Sequence, residues 1–178
     1  LIFQKFFVII IIINKKGVKK MRTLEEIEEL IKKHPPYSFE NDPQHEDEEE
    51  MLAGEKDFVR KHGFSFADTW GLDHVIACFA APRLAYLRDN HSSYPGELRA
   101  EAKKIAGITE VPDIDELADA MWIRILDEMI EAFCLIIDEE EPILNLSYSE
   151  YDKERRKREI IINKGLTAFS KYYQSLWD

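Results

Sequence analysis

The chain has 178 residues, with 35 acidic against 24 basic side chains and a formal net charge of −11. That length fits one domain able to bury roughly two-thirds of its unfolded surface. The charge argues against binding to nucleic acid or to an anionic membrane, because there is no excess of cations to displace counterions.

The two cysteines, Cys78 and Cys134, each sit inside an apolar helical run. They read as core thiols, not as a disulfide framework or a metal site, and suit a reducing cytosol.

The first twenty residues, LIFQKFFVIIIIINKKGVKK, differ from the rest. The apolar run Phe6 to Ile13 is too short to span a bilayer. The lysines follow it, and no small-residue cleavage site appears, so it does not read as a signal peptide. Back-translation of Lys15-Lys16-Gly17-Val18-Lys19-Lys20-Met21 allows a purine-rich GGAG string just before a start codon. Residues 1–20 are therefore expected to be an over-extended reading frame, with the native chain starting at Met21 and a helical domain at 21–178. Losing the five lysines of that leader would take the charge from −11 to −16. The alternative is an interfacial anchor, which lacks the required amphipathic pattern.

From Thr23 the pattern is helical. Thr23 and Glu26 form a capping box, and Leu24, Ile27, Leu30 and Ile31 recur at helical spacing. Pro35-Pro36 ends that helix, and residues 35–45 read as a loop. A second helix is expected from Glu46 to Lys61, with Met51, Leu52, Phe58 and Val59 inward and Gly63 as its C-cap.

The central stretch runs from Phe64 to Asn90. Ser65 with Asp68 resembles a capping box and is expected to open a helix there. Leu72, Val75, Ile76, Ala77, Cys78, Phe79, Ala80 and Ala81 are apolar nearly all round, so this helix should be covered on most sides. Pro82 removes one hydrogen bond and should kink or break it. Asp73, His74 and Arg83 interrupt the apolar surface, and each needs a partner or a route to water.

His91 to Gly96 is a turn, and Glu97 to Ile105 a short helix closed near Gly107. Pro112, Asp113 and Glu116 open a long helix reaching Asp138. On it Arg124, Asp127, Glu128 and Glu131 share one face. That face either meets water or meets Asp73 and His74. Asp73, His74, Arg83, Arg124, Asp127 and Glu131 are therefore the candidate polar cluster. Structural salt bridges are the plainer reading of it.

Pro142 to Ser147 is a connector. The last helix should run from Ser149 to Leu176. Ile162, Leu166, Phe169, Tyr173 and Leu176 alternate spacings of four and three, a seam that either completes the bundle or binds a partner. The acidic runs Glu46–Glu50 and Asp138–Glu141 read as solvated faces. The basic run Arg155–Arg158 is expected to pair with neighbouring acids. Trp70, Trp122 and Trp177 read as core anchors. No strand or hairpin signal appears. The expected fold is an all-α, single-domain bundle of about five to six helices, its central helix kinked at Pro82.

No phosphate loop, Cys-x-x-Cys, His-Glu-x-x-His, Gly-x-Ser-x-Gly or EF-hand pattern occurs. No catalytic residue, metal ligand or cofactor is assigned on that basis. Glu128-x-x-Glu131 and Glu116-x-x-Asp119 have spacings used by all-helical, Mg²⁺-dependent nucleotide pyrophosphohydrolases, which is the enzymatic alternative.

Three segments carry a resemblance: G-F-S-x-x-D-x-W-x-L-D-x-x-I-A-x-F-x-x-P-R-L (Gly63 to Leu84), W-x-x-I-L-D-x-M-I-x-A-F (Trp122 to Phe133) and G-L-x-x-F-x-x-Y-x-x-x-L-W (Gly165 to Trp177). In this order they resemble a group of short uncharacterised proteins of bacteriophage and phage-like metagenomic genomes. Glu97 to Pro112 looks like an insertion relative to shorter members. The resemblance implies a phage context and no site residues. Together with the composition it leads to a non-enzymatic accessory or interaction protein of the host bacterial cytoplasm, with a host or phage protein as partner. A homodimer through the C-terminal helix is the other expected partnership. An acidic DNA-mimic decoy is a further alternative.

Overall fold

The computed structural model describes residues 21–38, 49–107, 113–138 and 147–177. Among them the regular structure is all helical. Six α-helices follow in order: α1 (Leu24–Lys33), α2 (Glu49–His62), α3 (Leu72–Asn90), α4 (Gly96–Ala106), α5 (Ile114–Ile137) and α6 (Tyr148–Tyr172). Short 3-10 turns occur at Ala67–Thr69 and Tyr173–Ser175. None of these helices is long and apolar enough to cross a membrane. Residues 1–20, Glu46 to Glu48 of the first acidic run, most of the run from Asp138 and most of the connector from Pro142 lie outside the described residues. So do Pro112 and the side chains of Met51 and Leu52.

Local chemistry sets most helix ends. Thr23 Oγ1 accepts from the Glu26 N–H (3.2 Å), and Glu26 accepts from the Thr23 N–H (3.0 Å). Asp113 accepts from the N–H groups of Asp115 (2.8 Å) and Glu116 (3.2 Å), opening α5. Ser147 and Glu150 form the capping box of α6. Gly63 ends α2 with a φ of 80°, the left-handed conformation that glycine adopts without a Cβ penalty.

The Ser65–Asp68 pair forms but does not open α3. Ser65 Oγ accepts from the Ala67 N–H (3.0 Å), and Asp68 accepts from the Ser65 N–H (2.8 Å). These bonds close the 3-10 turn; Gly71 follows, and α3 starts at Leu72. Pro82 lies inside α3 without ending it.

The bundle is built around α5, which packs most extensively on α3 and α6 and then on α4. α1 rests on α3 and α5. Trp122, Leu126, Met129, Ile130, Phe133 and Ile137 of α5 are almost completely buried. Each contributes about 1.5–3 kcal/mol through burial. α3 meets them with Ala77, Ala80, Ala81, Leu84 and Ala85. This small-residue face allows close approach and places the large residues of α5 in the space between the helices.

That choice corrects the expected covering of α3. Only its alanine face is buried. Leu72, Ile76, Phe79 and Tyr86 point outward, with Phe79 62% and Tyr86 61% exposed. Val59 is likewise exposed. Of the three tryptophans, Trp122 is core, whereas Trp70 is 63% and Trp177 73% exposed.

The seam of α6 is shifted by one residue at two positions. Phe169 and Leu176 pack on the core as expected, but Gly165 and Tyr172 are the buried residues, and Leu166 and Tyr173 turn outward. Tyr172 meets Trp122 edge-on (5.5 Å), and Phe169 meets Phe133 (5.1 Å). A Cβ on Gly165 would lie well inside van der Waals contact with Ala132 Cβ and the Glu128 carbonyl oxygen. The glycine therefore sets the α5–α6 spacing.

Gly165→Ala tests that spacing. Helix propensity alone would favour alanine by about 1 kcal/mol, whereas overpacking costs about 1–3 kcal/mol. Urea unfolding should show net destabilisation; a variant as stable as the parent, or more so, would contradict the close approach.

Candidate functional site

Two features stand out on the bundle: a line of paired charges where α5 meets its neighbours, and an apolar surface on the outer side of α3.

The charges are ordered by Arg88, at the end of the buried face of α3. Its side chain is only 4% exposed. It donates to Asp127 (2.7 Å) and, through two nitrogens, to Asp89 (2.7 and 3.1 Å). A buried guanidinium needs such partners. The bond to Asp89 outweighs burial and, with Asp127, raises its pKa. Burial pushes the Asp127 carboxyl above its ordinary value; Arg88 opposes this, while Asp89 and Glu131 add to it.

His91 extends the network from the turn after α3. One ring nitrogen lies 2.7 Å from the Arg88 carbonyl oxygen, and the other 2.9 Å from Asp119 of α5. Burial lowers its pKa. The hydrogen bond and charge of Asp119, with the backbone carbonyls of Arg88 and Leu87, outweigh burial and raise the net value.

The six residues singled out in the sequence do not share one hydrogen-bonded cluster. Asp73 is exposed in the first turn of α3. His74 is buried, with Nε2 2.9 Å from the His34 carbonyl oxygen. Arg83 is exposed, stacks over its own helix's Phe79 (3.7 Å to the ring centre) and donates to the Phe79 carbonyl (2.8 Å). Arg124 pairs with Glu128 (3.3 Å), Asp127 with Arg88, and Glu131 with Arg22 (3.7 Å). Lys164 of α6 also reaches Glu128 (2.5 Å).

The polar face of α5 thus meets neither open water alone nor Asp73. It is half-buried and met by Arg88, Arg22 and Lys164 from three other segments. Arg88 and His91 were missed by motif reasoning. The signal for Arg88 was its place four residues after Leu84 and seven after Ala81, on the core face.

The carboxylates at metal-binding spacing are mostly engaged: Glu128 by Arg124 and Lys164, Glu131 by Arg22, and Asp119 by the His91 ring nitrogen. Among the described residues no group of three or more His, Cys, Asp or Glu side chains is placed to hold a metal ion. Cys134 is buried and Cys78 half-buried against the core.

The basic run on α6 is also absorbed internally. Arg155 pairs with Asp152 and Glu159, Arg156 with Asp152, and Lys157 with Glu154. Arg158 donates to the carbonyls of Leu135 and Asp138 at the end of α5. Those are orphan acceptors of a helix C-terminus, and a cation there also suits the helix dipole.

The apolar surface begins in a chain of rings. Phe58 of α2 contacts His62 (4.4 Å), Phe64 (5.6 Å) and Phe66 (6.0 Å). Phe66 meets Trp70 edge-on (5.7 Å), and Tyr37 stacks on Trp70 (5.9 Å). Glu55 fixes this segment to α2 by accepting from Ser65 Oγ and the Phe66 N–H. From Leu72 the surface continues along α3 as Leu72, Ile76, Phe79 and Tyr86, all exposed.

The raised His91 pKa gives a pH dependence of defined sign. Protonated His91 is favoured by the folded chain. Its contribution is fully present below the ordinary histidine value near 6.5 and is lost as pH rises through the higher folded value. The urea midpoint should therefore fall on going from slightly acidic to mildly alkaline pH, and His91→Gln should flatten that part of the profile. An unchanged slope in His91→Gln would contradict the assignment.

No protein-family model, curated protein or solved structure matches this chain, so a functional reading rests on the charges and the apolar surface themselves.

Proposed function

We propose that this chain is a non-enzymatic helical interaction module, a phage-type accessory protein acting in the host bacterial cytoplasm. The observation that carries the reading is the outward apolar surface from Phe64 to Tyr86. Monomeric proteins rarely expose contiguous apolar patches beyond about 300–600 Å². Aromatic side chains are also the groups that concentrate at the centre of protein interfaces. The fate of the titratable groups supports the same reading, because Arg88, His91, Asp119, Asp127, Glu128 and Glu131 are engaged in joining helices.

Affinity capture with the wild-type chain and with a Phe66→Ser/Trp70→Ser variant tests it. Both side chains are exposed, so the fold should persist, as circular dichroism would verify. The wild type should retain a stoichiometric protein partner, and the variant about tenfold less. Capture of nothing, or equal capture by both chains, would contradict the proposal.

A further inference from the structure

We propose that the outer face of α3 pairs with the same face of a second copy, antiparallel, about a two-fold axis level with Cys78. The inference rests on the interaction reading above and names the occupant of one part of that surface.

Leu72, Ile76, Phe79, Arg83 and Tyr86 follow spacings of four, three, four and three, the repeat of a helix–helix seam. Four of the five are large apolar or aromatic residues left in solvent. Aromatic residues bury about 150–250 Å² each. With the neighbouring Phe64, Phe66 and Trp70 also about half exposed, the surface approaches the ~800 Å² per partner of a specific interface.

Charge selects the occupant. Asp73 and Arg83 are the two charged residues on or beside the stripe, both exposed, and no ion pair holds either among the described residues. They are ten residues apart, about 15 Å along the helix, too far to pair within one chain. An antiparallel copy removes that separation. With the axis level with Cys78, Arg83 of each copy comes opposite the partner's Asp73. Ile76 then lies beside the partner's Phe79, and Leu72 between the partner's Arg83 and the partner's Tyr86. Large side chains interleave, and both charges gain an opposite one.

Sedimentation velocity over a concentration series tests the proposal, with circular dichroism to verify folding. The wild type should form a particle of twice the chain mass. Phe79→Glu should abolish it. Asp73→Arg and Arg83→Asp should each weaken association about tenfold, and the double swap should restore it, because both pairs reform with reversed sign. A wild type monomeric up to about 0.1 mM overturns the proposal, as does a dimer insensitive to Phe79→Glu or a double swap no better than the singles. A monomer that still captures a partner through Phe66 and Trp70 overturns the dimer and keeps the interaction reading. A charge-swap-dependent dimer that captures nothing keeps the dimer and removes the heterologous partner.

Discussion

The bundle depends on how closely two helices approach α5. On one side α3 presents Ala77, Ala80, Ala81 and Ala85; on the other α6 presents Gly165. Small residues bring the helix axes together, and the large side chains of α5 fill the remaining space at interior density. An alanine face on α3 then has a second effect. The helix carries several large apolar residues, and with one side committed to alanine they must point elsewhere. Leu72, Ile76, Phe79 and Tyr86 therefore reach solvent because of the packing on the opposite side. Core geometry and exposed surface are two consequences of one sequence pattern.

The charges follow from the same arrangement. Arg88 lies on the inward face of α3 one turn beyond Leu84, where the interface with α5 needs a partner for a guanidinium. Asp127 supplies it, with Asp89 as a second acceptor. Removing one partner of such a buried pair is costly, although the intact pair adds little over apolar packing. Its contribution is to fix the register of α3 on α5, with His91 and Asp119 fixing the same contact further along.

The sequence was most informative where chemistry is local. The Thr23–Glu26 box, the Asp113 cap, the left-handed Gly63 and the extent of α5 all depend on neighbouring residues, and all were legible. The inward face of α3 was not, because a helix apolar nearly all round carries no signal for its buried side. Leu166 looked like a seam residue and Gly165 did not, since hydropathy registers transfer free energy and not the room that a missing side chain leaves. Trp70 and Trp177 looked like anchors for the same reason. The polar candidates were half legible: Asp127 and His74 do become enclosed, but Arg88 and His91 are brought to α5 by the fold alone.

The central claim is that α3 turns its small residues inward and its large ones outward, and comparing Ala81→Leu with Phe79→Ser tests it most directly. Urea unfolding in solution dilute enough to prevent self-association is the measurement. The account predicts that Ala81→Leu destabilises by about 1–3 kcal/mol through overpacking, while Phe79→Ser stays within about 0.5–1 kcal/mol of the parent, as a surface change should. The reverse order, with Phe79→Ser the more damaging, would contradict it.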